Sequence, residues 1–242
     1  MTIAEVAVKG IVFATWLSFA GLSLGMQNIY RPSDFTTVEG ESTKARYENA
    51  VSQGRQGSTD TFWVAYGMSQ RNSVRTSSID GIEVVQSVAS NRAGMFLMVR
   101  KSDGVVERVR IVDLDQDVRV HDRRVYWLGS PSSDDSAAIL LSIARSPVSM
   151  QVKKDAIFWL GQEISRLAGS GLETIATNDP EVEVQKQAVF ALSQHNDGDS
   201  LRVLMRLAKE HPNFAVRQQA IFWLSQKRDP IVLDFFEQLL RK

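Results

Sequence analysis

The sequence predicts an α+β chain in which a small antiparallel β segment is followed by a short helical solenoid. Three observations carry that prediction. A helix-spaced apolar pattern repeats every 32 residues through the C-terminal half. A strand-spaced pattern runs from 61 to 128. An Asp-Gly pair separates two strand-like runs within it.

The repeat is the strongest of these. Val152, Ala156, Phe158 and Leu160 return as Val184, Ala188, Phe190 and Leu192, then as Val216, Ala220, Phe222 and Leu224. A fixed period of this size marks stacked supersecondary units. A second set, Leu140, Ile143 and Ala144, recurs as Leu172, Ile175 and Ala176, then as Leu204, Leu207 and Ala208. Offsets of three and four place each set on one helical face, so each unit reads as two helices. Pro147, Pro180 and Pro212 fall in the turns before the second helices, where a missing N–H costs least. Phe236, Leu239 and Leu240 continue the first-helix set, which makes residues 230–242 a C-terminal cap. The span 134–242 is therefore read as three helical pairs plus a capping helix, with Asp134 or Asp135 as the first N-cap.

Residues 61–129 form the small β-domain. Phe62, Val64, Tyr66 and Met68 alternate with Trp63, Ala65 and Gly67, and 82–88 is a further strand. The runs 94–100 and 105–113 flank Asp103-Gly104, a hairpin signal because such turns need positive φ. Residues 124–128 read as a closing strand. Four or five mainly antiparallel strands with one apolar face must pack on something, and the first repeat helix is nearest. Residues 27–60 are rich in Ser, Thr, Gly and Gln and read as a polar linker, with one weak helix over 38–53. Residues 10–26 carry no charge. That run is short of the roughly 20 residues of a spanning helix, and small residues offer cleavage after Ala20 or Gly25. Residues 1–26 are read as a signal peptide, giving a periplasmic or secreted protein, or alternatively as a retained membrane anchor.

The composition narrows the function classes. Lys+Arg and Asp+Glu are equal at 28 each, so no whole-chain field draws nucleic acid or anionic membrane. The membrane enters only through the N-terminal segment if it is uncleaved. Without cysteine there is no disulfide, thiol nucleophile or thiolate-bound metal.

The segments 152–162 (VKKDAIFWLGQ), 184–194 (VQKQAVFALSQ) and 216–226 (VRQQAIFWLSQ) resemble HEAT repeats, in particular the short bacterial HEAT-like repeats shared with phycobilisome lyases. Arg217 keeps the family's Val-Arg pair, which Lys153 and Gln185 replace elsewhere. The run Tyr126-Trp127-Leu128-Gly129 ahead of the repeats also resembles that of other bacterial HEAT-repeat proteins. The resemblance implies a solenoid and assigns no activity.

Candidate binding residues sit at regular or period-breaking positions. Trp159 and Trp223 are equivalent, with Ala191 between them. They form either a binding stripe or inter-repeat packing, and packing is preferred because Phe158 and Phe222 beside them read as core. Lys153, Lys154, Lys186, Arg217 and Arg228 make a basic ladder, interrupted by Asp155, Glu163, Glu181 and Glu183, so a mixed solvated face is preferred. Tyr126 and Trp127 mark the junction between sheet and solenoid. Asp113, Asp115 and Asp117 have calcium-loop spacing, but Val118 and Arg124 stand where that loop needs Gly and Glu. His121-Asp122 would point to opposite sides of an extended segment. His195 and His211 fall at helix ends, and no HExxH, Walker or G-x-S-x-G pattern occurs.

The expected function is a non-enzymatic scaffold for a protein or peptide partner, with no cofactor, metal or nucleic acid. The alternative is an enzyme or enzyme accessory of the phycobilin-lyase type. It would use a pocket at the sheet–solenoid junction lined by Tyr126, Trp127 and a carboxylate such as Asp122.

Overall fold

A computed structural model describes residues 29–30, 34–68, 92–115, 118–119, 124–195 and 197–241. The 10–26 run, the strand expected over 82–88, and Asp117, His121 and Asp122 lie outside these residues. Among the described residues no helix is long and apolar enough to cross a membrane.

The strands are β1 (Ile29–Tyr30), β2 (Thr36–Thr37), β3 (Thr61–Gly67), β4 (Ala93–Arg100), β5 (Val106–Asp113), β6 (Val118–Arg119) and β7 (Val125–Trp127). Five of them form a sheet in the order β2-β7-β3-β4-β5, while β1 and β6 pair separately. The sheet is mixed rather than mainly antiparallel. β3, β4 and β5 are antiparallel neighbours, but β7 runs parallel to β3, and β2 parallel to β7. β5 runs in the same direction as β3, so the chain after it must return along the sheet before β7 can lie beside β3.

The expected hairpin forms between β4 and β5 with a longer loop than a two-residue turn. Arg100 and Val105 close it, Gly104 N donates to Arg100 O at 2.8 Å, and Gly104 carries the positive φ of 76°. Asp103 accepts from the Arg100 guanidinium at 2.8 and 3.0 Å and from Val105 N at 3.1 Å. That guanidinium holds the Asp103 carboxyl below the usual carboxylate range.

Both sheet faces are apolar, not one. Phe62, Val64, Tyr66, Leu97 and Val99 face the helices. Trp63, Ala65, Phe96 and Met98 face the other way, against Phe35 and Leu114. A period of two makes these alternate sets point oppositely.

The stretch read as a linker contains α1 (Thr43–Arg55), which packs on β3 and β7. Its contact stripe is narrow and small: Ala50 is buried, and a Cβ at Gly54 would lie 2.3 Å from the Phe62 ring. Its polar composition belongs to the solvent side. Ser42 caps its start, and Arg55 donates to the carbonyls of Lys101 and Ser102, tying α1 to the hairpin.

The repeat array comprises α2 (Ser133–Arg145), α3 (Met150–Leu160), α4 (Arg166–Asn178), α5 (Val182–Gln194), α6 (Gly198–Glu210), α7 (Phe214–Ser225) and α8 (Pro230–Leu240). The cap of α2 is Ser132, whose Oγ accepts from Asp135 N; Asp134 and Asp135 occupy the first turn, where negative charge suits the helix dipole. The Leu140 set is buried through all three pairs, and so are the Val, Ala and Leu positions of the Val152 set, but its Phe positions are not. On the helix side of the sheet the buried residues form one continuous cluster from Val38 to Val232, while a smaller cluster lies on the other face. The sheet is thus the N-terminal lid of the stack. The other end differs from a polar cap. On α8 only Val232 is buried, whereas Ile231, Leu233 and Leu240 are exposed, because among the described residues no second helix packs on α8.

The break in period at Ala191 has a packing cause. A Cβ on Gly161 would lie 2.8 Å from Ala191 Cβ and 3.1 Å from its carbonyl oxygen, so the end of α3 presses on α5 there. Nothing lies within 4 Å of a Cβ at Gly169 in α4. Gly161→Ala should therefore cost about 1–3 kcal/mol through overpacking. Gly169→Ala should gain about 0.5–1 kcal/mol through reduced chain entropy. Urea denaturation of both variants checks the contrast, and equal midpoints would contradict the close contact.

Candidate partner-binding face

The second helices α3, α5 and α7 approach one another more closely than the first helices α2, α4 and α6. The array therefore curves with the second helices on its concave side. Which side chains face outward follows from helical angle. Val152, Ala156 and Leu160 define the buried stripe of α3. At about 100° per residue, position 158 lies about 200° from Ala156, on the opposite side of the helix. Position 159 falls next to the stripe.

The structure follows this geometry, and it is the Phe residues, read as core, that differ from expectation. Trp159 is 5% exposed and belongs to the core. Phe158 and Phe190 are half-buried, and Phe222 is 52% exposed. The Phe residues are thus the surface row. Their apolar character suggested core, while the spacing of two from Ala156 and Leu160 was the signal that they are not. Phe158 and Phe190 stack with centroids 6.3 Å apart and planes at 13°. Half-buried Trp223 continues the row, 4.9 Å from Phe190 and 4.9 Å from Phe222. Aromatic surface thus crosses all three second helices without a gap.

The basic residues divide into two rows. Lys153, Gln185 and Arg217 are equivalent and hold turns. Lys153 pairs with Asp179 at 4.0 Å, and Gln185 donates to the Asp179 carbonyl at 2.9 Å. Arg217 donates to the carbonyls of His211 and Pro212 at 2.6 and 2.9 Å and lies 5.5 Å from the Phe214 ring. The change from Lys153 to Gln185, read as a mark of function, keeps a turn-holding role in both repeats. Lys154 and Lys186 instead lie one turn before Phe158 and Phe190, on the outward side. Lys186 pairs with Glu183 at 2.9 Å, and Lys186 and Lys154 both help hold that carboxyl low.

Tyr126 and Trp127 do not converge at the junction. Tyr126 packs edge-on against Phe62 at 5.7 Å on the helix side of the sheet. Trp127 lies on the other side, 5.7 Å from Phe35. Adjacent strand residues cannot line one pocket. The aspartates at the end of β5 make a turn: Asp115 N donates to Asp113 Oδ1 at 2.9 Å. His211 closes another, its Nδ1 accepting from Asn213 N at 3.1 Å.

The junction is occupied by Glu163, which had been read as an interruption of the basic ladder. It is 1% exposed. Its Oε1 accepts from Ser136 Oγ at 2.6 Å, and the Tyr66 hydroxyl lies 3.3 Å from the same oxygen of Ser136. Strand β3, helix α2 and the turn after α3 thus meet on one carboxyl. Burial pushes Glu163 above the usual carboxylate range, opposed by the Ser136 and Ser133 hydroxyls. Burial also raises the Tyr66 phenol. The equivalent positions are His195 and Lys227, both shifted down by burial.

A carboxyl with a raised folded-state pKa favours the fold when protonated. Its ionisation subtracts stability as pH rises from the ordinary carboxylate range through the raised value. Glu163→Gln keeps the shape and removes the ionisation. The variant should be more stable than the wild type at pH 7.5, with the difference shrinking as pH falls to 5. Thermal melts across that range check this, and a pH-independent difference would contradict a buried, ionising Glu163.

Residues 169–242 match the family model for HEAT repeats, and a search of curated proteins found no match. The matched stretch begins in α4 and includes α5 to α8, and the 32-residue step extends the same unit back to α2. The protein carries a HEAT-repeat domain.

Proposed function

We propose that this protein is a non-enzymatic interaction scaffold that docks a protein or peptide on the concave face of α3, α5 and α7. HEAT repeats commonly serve in protein interactions, and the array here is of that kind. The observation that carries the reading is the continuous aromatic row of Phe158, Phe190, Trp223 and Phe222, half-buried at the first three and exposed at Phe222. Water-exposed aromatic surface costs solvation free energy, and aromatic anchors dominate binding at protein interfaces. Lys154 and Lys186 beside the row are long, half-buried side chains whose charge would orient a partner.

The protein is also proposed to act outside the cytoplasm or tethered at a membrane, on the strength of the uncharged 10–26 run. The N-terminal residue of protein from fractionated cells tests this. A start after Ala20 or Gly25, or a membrane-retained full chain, supports it; a cytosolic chain starting at Met1 or Thr2 refutes it.

Affinity capture from the native host tests the docking face. Phe190→Ser with Phe222→Ser should weaken retention of a specific partner by about thirtyfold or more, as for loss of a hot spot near 2 kcal/mol. Lys154→Glu with Lys186→Glu should weaken it less, with the difference from wild type shrinking as salt is raised. Undiminished capture by the folded Phe variant would remove the concave face from consideration.

A further inference from the structure

The concave face carries a second row that the aromatic row alone does not require. Gln162, Gln194 and Gln226 step by 32, one turn beyond Phe158, Phe190 and Phe222. In two repeats the amide is held by the same relay. Ser193 Oγ donates to Phe190 O at 2.6 Å, and Gln194 Nε2 donates to Ser193 Oγ at 3.2 Å. Ser225 Oγ donates to Phe222 O at 2.7 Å, and Gln226 Nε2 donates to Ser225 Oγ at 3.2 Å. Gln194 and Gln226 are exposed. Each relay uses one N–H of its amide and fixes the side chain. The second N–H and the carbonyl oxygen stay available, so each side chain offers a donor and an acceptor.

We propose that this face binds an extended peptide segment, with apolar side chains at every second position on the Phe row and its backbone bonded by the Gln row. The proposal rests on the concave face being the docking surface and specifies what docks there. Two observations select an extended occupant. Same-side residues of an extended chain recur every two residues, about 6.6–6.8 Å apart, and the stacked Phe158 and Phe190 rings are 6.3 Å apart. An extended peptide also brings unpaired N–H and C=O groups that need partners, whereas a helix satisfies its own and would leave an amide row unused. Charge does not set the choice, since Glu183 pairs with Lys186 and also feels the charge of Lys154. The segment is therefore apolar and polar in alternation, not strongly acidic.

The test uses fluorescence anisotropy with the full chain and three labelled peptides. One alternates Ser and Phe. One carries the same residues with the Phe in a block. One is a helical peptide with Phe at three- and four-residue spacing. The alternating peptide should bind at least about tenfold tighter than the other two, the loss of a row contact being worth about 1.4 kcal/mol. Gln194→Ala with Gln226→Ala should weaken it about tenfold and leave the weaker peptides unchanged. Equal binding of the three peptides, tighter binding of the helical one, or a preference that survives the Gln variant each overturns the proposal. Host capture that is lost in the Phe variant while the peptides bind equally would leave the docking face standing and remove only the extended occupant.

Discussion

A pair of helices of this length cannot bury its apolar stripe by itself, so every unit depends on a neighbour on each side. This constraint shapes both ends of the molecule. At the N-terminal end the neighbour is the mixed sheet with α1, and the core runs without interruption from Val38 into the repeats. At the C-terminal end α8 supplies only half a unit, and Ile231, Leu233 and Leu240 stay exposed. Between the ends, Ala156, Ala188 and Ala220 are fully buried where helices come together. Gly161 and Ala191 mark a close approach that leaves no room for a larger side chain.

Dependence on neighbours also explains how one helix serves two purposes. Stacking rests mainly on the stripe of Val152, Ala156, Leu160 and their equivalents, with Ile157 and Trp159 beside it in α3. The opposite side of each second helix is free of that duty, yet it carries Phe in all three repeats. Phe158 and Trp223 still pack partly on the core, and Phe222 alone of the row is exposed. The same separation holds for the charged residues. Those near the stripe secure turns, as Arg217 does, and those on the outward side border the aromatic row.

The sheet and the solenoid are joined by a polar contact as well as an apolar one. Glu163 is placed so that Ser136 and, through it, Tyr66 surround a carboxyl with almost no access to water. A buried ionisable group costs free energy unless it is bonded, and its two hydroxyl neighbours offset only part of that cost. The joint is therefore the part of the core whose stability changes with protonation. Its position in the turn after α3 ties the sheet to the first repeat.

Most of the repeat architecture was legible in the sequence, because a 32-residue step in the apolar pattern leaves few other ways to bury it. The hairpin around Gly104 was legible for a similar local reason, although its loop length was not. Helix α1 was hidden because its contact surface is only Ala50, Gly54 and a few neighbours, which composition cannot distinguish from a linker. The parallel placement of β7 was hidden because strand pairing between distant segments leaves no local mark. The outward Phe row was present in the angular spacing but masked by residue type. The sequence by itself determined which residues repeat and which stripe stacks. Only the tertiary structure decided what the repeated positions meet, since burial depends on the neighbour across the interface: Trp159 goes inside, Phe222 faces water, and Glu163 becomes the joint.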